Sequence, residues 1–181
     1  MLGSHDSTGA KRLKKKTAGI IILIVWFIWS TGRDLNALIR PAATTDFYIF
    51  SSNGLAALAF FFAISVFLLD AATVWCLFRP RPAGFYVALS ALALSLTQSI
   101  VSVSLAVSDL SGVRQAYVVG RRARGLSVSR PEALDMMFTP VAMYVILTVL
   151  LLITAAIAFL IVWNRAYFFS NNITSTAPSS S

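Results

Sequence analysis

Apolar residues run along this chain in four long blocks separated by short polar segments, at 17–33, 54–78, 84–107 and 140–163. Crossing hydrocarbon takes about 20 mainly apolar residues at a helical rise of about 1.5 Å each, so every block is read as a span. The first is the shortest, and the stems of the lysines before it can reach to the interface to make up the length. Backbone amides and carbonyls have no water partner in lipid, so each block must be helical. The pattern predicts an all-α membrane protein: four transmembrane helices in an antiparallel bundle.

Turn chemistry sets the boundaries. The stretch from Phe47 onward is too long for one span, and "SSNG" at 51–54 interrupts it, which places the second helix start near Asn53. "RPRPAG" at 79–84 ends one helix and begins the next, because Pro80 and Pro82 lack amide donors and restrict their predecessors. The third and fourth spans are separated by 108–139, longer than a turn requires, and this loop is expected to be partly helical. One helix there would carry Leu110, Val113 and Tyr117 on one side and Arg114 and Arg121 on another, with Asp109 at its start. A second would begin at "SRPE", where Ser129 and Glu132 have capping-box spacing and Pro131 sits in the first turn. Residues 1–16 read as a disordered basic tail and 164–181 as a disordered polar one. "NIT" at 172–174 matches a glycosylation acceptor, but on the expected cytoplasmic side.

Within the second block Ala56, Ala59, Ala63, Val66, Asp70 and Thr73 recur at steps of three and four, which puts them on one narrow stripe. Gly84, Ala88, Ala91, Ser95, Gln98 and Ser102 do the same in the third. Hydrophobicity does not drive helices together in lipid, so close approach of small residues and hydrogen bonds between polar ones must. Ala56, Ala59, Ala63, Gly84, Ala88 and Ala91 are therefore the expected helix-packing positions. The first helix is apolar nearly all round and is expected at the bundle periphery.

Composition agrees with a lipid solvent. Of the 181 residues 57% are hydrophobic and 12% charged, too few charges to cover a soluble domain. The net charge of +8 is spread over short segments between apolar runs, whereas nucleic acid needs a concentrated basic face, so no nucleic-acid partner is expected. Cys76 and His5 are each the only residue of their kind, which leaves no intrachain disulfide, thiolate metal cluster or paired histidine ligation. No cofactor is expected.

Lys11, Arg12, Lys14, Lys15 and Lys16 precede the first span and favour a cytoplasmic N-terminus, with four spans returning the C-terminus to the same side. A cleaved signal peptide is the competing reading of that basic-then-apolar start, opposed by two closing tryptophans and the lack of a small-x-small cleavage site. Anionic lipid headgroups or a partner are expected to meet Lys14, Lys15, Lys16, Arg79, Arg81, Arg121, Arg122 and Arg124. The preference for arginine over lysine beyond the N-terminal run points to a bacterial cytoplasmic membrane.

Asp70 is the residue that the apolar pattern does not absorb. It lies nine residues, about 13 Å, inside the boundary at Arg79, level with Thr154 and with the stretch between Ala91 and Ser95. Gln98 falls in a second polar layer about 8 Å away along the normal. An ionised carboxylate at that depth costs about 2.5–3.5 kcal/mol, with no cation expected in a span to pair with it, so the neutral acid is expected. Either it donates a hydrogen bond to Ser95 or Thr154 and fixes helix register, or it faces a wet cavity and changes protonation during transport. The intramembrane polar site is thus Asp70, Ser95, Gln98 and Thr154.

Three function classes follow. The first is a non-enzymatic structural or accessory protein that assembles with itself, as a homo-oligomer, or with another membrane protein. The second is a small proton- or cation-coupled transporter or channel that uses Asp70. An enzyme is the third and least favoured, because Asp109, Glu132 and Asp135 read as caps and solvated charges, and no phosphate loop or metal-ligand spacing is visible.

Overall fold

A computed structural model of the chain describes residues 7–169, with side chains from 18 to 169. The expected glycosylation acceptor and the end of the C-terminal tail lie outside the described residues, as do the side chains of Lys14, Lys15 and Lys16. Among the described residues the structure is all-helical, without strands, and four helices are long and apolar enough to cross a membrane. Helix α1 is Ser7–Ile39, and its apolar part is Ala18–Ile39. After a 3-10 turn at Pro41–Ala43 come α2 (Thr45–Ser52), α3 (Ala56–Phe78) and α4 (Pro82–Ala106). They are followed by α5 (Leu110–Ala123), α6 (Pro131–Met137), α7 (Pro140–Trp163) and α8 (Arg165–Phe169).

Local chemistry explains the boundaries. Thr44 caps α2 by accepting from the Phe47 amide at 3.4 Å, and Thr139 caps α7 by accepting from Ala142 at 3.1 Å. Prolines occupy the first turns of α4, α6 and α7, where a missing donor costs nothing. Asp109 caps α5, with its carboxylate accepting from the Gly112 amide at 3.0 Å. Several boundaries differ from the sequence reading: helix begins at Ser7, inside the N-terminal stretch read as disordered, and α8 occupies Arg165–Phe169 of the C-terminal one. Asn53 closes α2 rather than opening α3, which starts past Gly54, a residue at φ +73° that lets the chain reverse. Arg130, not Ser129, stands at the cap of α6 and makes no side-chain cap bond, so the capping box is not formed. The first span runs on to Ile39, because Arg33 pairs with Asp34 Oδ1 at 3.0 Å and the charged pair does not end the helix.

Helices α3 and α4 pack extensively on each other. Ala88 and Ala91 are buried against α3, and Gly84 lies so close to it that a Cβ there would fall 2.5 Å from that of Cys76. Helix α1 is not peripheral: it packs on α3 more extensively than any other helix does, through Ile20, Leu23, Phe27, Ser30 and Asp34. Those positions recur at steps of three and four and form one stripe, which lies along α3. The most lipid-exposed helix is instead α7, whose leucines, valines and isoleucines are exposed around most of its circumference.

At the end of the spans nearest α8, Leu23, Phe27, Leu77, Ile161 and Phe168 close into an apolar plug, each at most 1% exposed. Helix α8 lies across that end, and its Tyr167 hydroxyl donates to the Leu77 carbonyl at 2.6 Å. At the other end α2 packs on α3, α4 and α5, and α5 covers the turn at Pro41–Ala43. Gly120 makes that cover possible, since a Cβ there would come within 2.6 Å of the Ala43 carbonyl oxygen.

Candidate functional site: an acid-floored cleft

Helix α1 ends about 8 Å beyond Asp34 by its rise, whereas α3, α4 and α7 continue further toward α5. The space left beside them, only partly filled by α2, is a cleft of about 670 Å³. Its floor is polar, with Ser30, Arg33 and Asp34 of α1 facing Asp70 of α3. Its far wall is apolar, formed by Ile146, Leu150 and Ile153 of α7. It reaches Tyr117 and Arg124 of α5 at one end and stops on the apolar plug at Phe27 at the other.

Asp70, Ser95, Gln98 and Thr154 all line this cleft. Their immediate partners differ from those expected. The side chains facing the Asp70 carboxyl are Ser30 and Asp34, with Arg33 beyond them, rather than Ser95 or Thr154. A cation does lie within a span after all. The Arg33 guanidinium reaches Asp34 Oδ1 from Nε at 3.1 Å and from a terminal nitrogen at 3.0 Å, and it lies 5.7 Å from the Trp29 ring centroid. Asp34 Oδ2 is buried without a hydrogen-bond partner in the protein. Asp70 and Asp34 are 3% and 8% exposed, so both carboxyls are withdrawn from lipid.

Sequence reasoning therefore missed Ser30, Arg33 and Asp34. The first span was closed at the charged pair, yet the spacing that links Ile20, Leu23 and Phe27 leads directly to Ser30 and Asp34. A second polar layer lies nearer α5, where Ser102 Oγ donates to Asp46 Oδ1 at 3.0 Å beside Gln98 and Ser99. Asp46 sits in the first turn of α2, where the helix dipole favours a negative charge. Among the described residues no three His, Cys, Asp or Glu side chains converge as metal ligands.

Of the other singled-out residues, Ala59, Ala63, Ala91 and Arg124 also line the cleft. Ala59, Ala88 and Ala91 are buried between helices, with Ala56 and Ala63 partly so. Arg79 stacks 4.7 Å from the Trp75 ring centroid and Arg81 is exposed in the α3–α4 turn. In α5, Arg121 donates to the Tyr117 hydroxyl at 3.1 Å and the Ser127 carbonyl at 2.7 Å. Arg124 donates to the Gly120 carbonyl at 3.0 Å, and Arg122 is exposed. Asp109 accepts from Ser111 as well as Gly112, and these bonds, the Gly112 amide foremost, hold its carboxyl below the usual range. Comparison with protein-family models, with curated proteins and with solved structures finds no match in any of the three.

Proposed function

We propose that this protein is a small carrier in which Asp70 exchanges a proton or a cation with the cleft. The four spans form an antiparallel bundle in a bacterial cytoplasmic membrane. Both termini are cytoplasmic, and α5 and α6 lie outside. The observation that carries this reading is the position of Asp70: buried from lipid, faced by a second carboxyl and an arginine, and open to a cleft large enough for a small molecule. Ionisable groups are costly at such depth, and a polar cleft is the setting in which they are put to use.

The carrier is not an enzyme and binds no cofactor or nucleic acid. Arg79 and Arg81 on one side and Arg121, Arg122 and Arg124 on the other meet anionic headgroups, as do Lys14, Lys15 and Lys16. The test is proton flux in liposomes that contain the purified protein. Asp70→Asn abolishes an imposed-gradient proton flux that the wild type supports; equal flux in the two would refute the reading.

One observation favours a second role, as an accessory protein in an assembly. Helix α7 leaves nearly its whole apolar surface uncovered by this chain. Ala59, Ala88 and Ala91 are already buried within this chain, so a homo-oligomer or a membrane-protein partner would dock on α7. A strictly monomeric particle in mild detergent, with no co-purifying protein, argues against it.

A further inference from the structure

We infer that Asp34 and Asp70 form one exchange site that holds either a single shared proton or a single monovalent cation with an apolar body, never both. This rests on the carrier reading and gives it a second acid and a substrate class. The charges around the site lead to it. Arg33 balances one carboxylate through its two contacts with Asp34 Oδ1. With both acids ionised the trio would keep one uncompensated negative charge in a buried setting. A proton on Asp70 removes that charge, and Asp34 Oδ2, buried and without a partner, is the acceptor left for it.

The other groups that face the floor do not supply a substitute. Helix α4 presents Ser95 and Gln98, and α7 presents Thr154, all uncharged. Asp46 of α2, to which Ser102 donates, is a further acid whose negative charge acts on Asp34, and Arg124 of α5 stands at the opposite end of the cleft, bonded to Gly120. The Asp34–Asp70 pair therefore needs a positive charge beyond that of Arg33, and it can arrive as a proton or as a cation. When the cation enters between the two carboxyls, the shared proton leaves to water through the α5 end, and the charge of the site is unchanged. The exchange is electroneutral.

The walls choose the kind of cation. Leu150 and Ile153 of α7 line the cleft beside the acids, and Trp26 lines it one to two turns of α1 toward the plug, so that they offer apolar area and an aromatic face to a hydrophobic body. A small hydrated ion would gain nothing from them and would have to shed water against hydrocarbon.

The experiment titrates tetraphenylphosphonium into the full-length protein in nanodiscs, in weak buffer, and reads proton release with a pH dye. Wild type releases one proton for each cation bound. Asp34→Asn and Asp70→Asn each lose the release, while Asp34→Glu, which keeps the acid, retains it and shows that the position tolerates change. In infrared spectra at neutral pH, wild type shows one protonated-carboxyl band that disappears in both asparagine variants. The inference is overturned if Asp34→Asn keeps the band and the release, because Asp70 then acts alone and the carrier reading survives without the pair. Binding without proton release, or no binding by wild type, overturns it as well. Proton flux that is indifferent to Asp70→Asn defeats the carrier reading itself, a result the dye titration does not duplicate.

Discussion

Substituting Gly84 by alanine probes the close approach of α4 to α3. The new Cβ would fall 2.5 Å from Cys76 Cβ and 3.3 Å from a carbon of the Phe168 ring. Ordinary carbon contacts lie at about 3.5–4.0 Å, so α3 and α4 must part by about 1 Å or more, or α8 must lift. Parting them loosens Ala88 and Ala91, which are at most 1% exposed. Overpacking of this kind costs about 1–3 kcal/mol, against which alanine's better helix propensity returns at most about 1 kcal/mol. A double-variant cycle isolates the clash. Cys76→Gly removes the opposing Cβ, so Gly84→Ala should be far better tolerated in that background, with a favourable coupling of about 0.5–3 kcal/mol. The assay is unfolding by sodium dodecyl sulfate in mixed micelles, followed by circular dichroism. Strictly additive effects would refute the packing of α4 on α3 at this point.

Three further outcomes are expected. Tyr167→Phe removes the hydrogen bond to the Leu77 carbonyl and lowers stability in the same assay by about 0.5–1.5 kcal/mol. Burial pushes the Tyr167 phenol above its usual value, so its contribution is full below the ordinary phenol range and is lost as pH rises through it; alkaline unfolding should be shallower in the phenylalanine variant. Asp109 behaves in the opposite sense. Its carboxyl is held low by the Gly112 amide, so the cap is intact above the usual carboxylate range and is lost as pH falls through it; exchange protection of the Gly112 amide should drop in acid, and an Asp109→Ala variant should lack that pH dependence. Gly120→Val drives a side chain into the Ala43 carbonyl and should free α5 from the turn at Pro41–Ala43, seen as faster amide exchange in α5, whereas unchanged exchange would contradict the contact.

The helices were legible because the bilayer imposes a length and the side-chain period imposes a face. Ala56, Ala59 and Ala63 share a stripe by arithmetic alone, as do Ala88, Ala91 and Ser95. Asp70 was legible as an anomaly for the same reason. Its partners were not. Arg33 and Asp34 look like the end of a hydrophobic run, and composition does not reveal that an adjacent opposite charge lets the helix continue for another turn. Counting residues from the interface placed Thr154 and Ser95 at the depth of Asp70, and all line one cleft, yet depth does not say which helix lies across from which. That depended on how α1 sits on α3, and an apolar surface that looks alike on all sides in sequence hides the stripe from Ile20 to Asp34. The capping box at Ser129 failed for a local reason: Arg130 took the cap position, one residue later than the motif requires.

On the carrier reading, water reaches the acids inside the span from the α5 end and is stopped by the plug of Leu23, Phe27, Leu77, Ile161 and Phe168 at the other. The most direct measurement is a single cysteine at Ser95→Cys in a Cys76→Ala background, labelled with a membrane-impermeant maleimide from each side of sealed vesicles. Labelling from the side of α5 and protection from the side of the termini is the expected result. Protection from both sides, or labelling from the side of the termini, would contradict it.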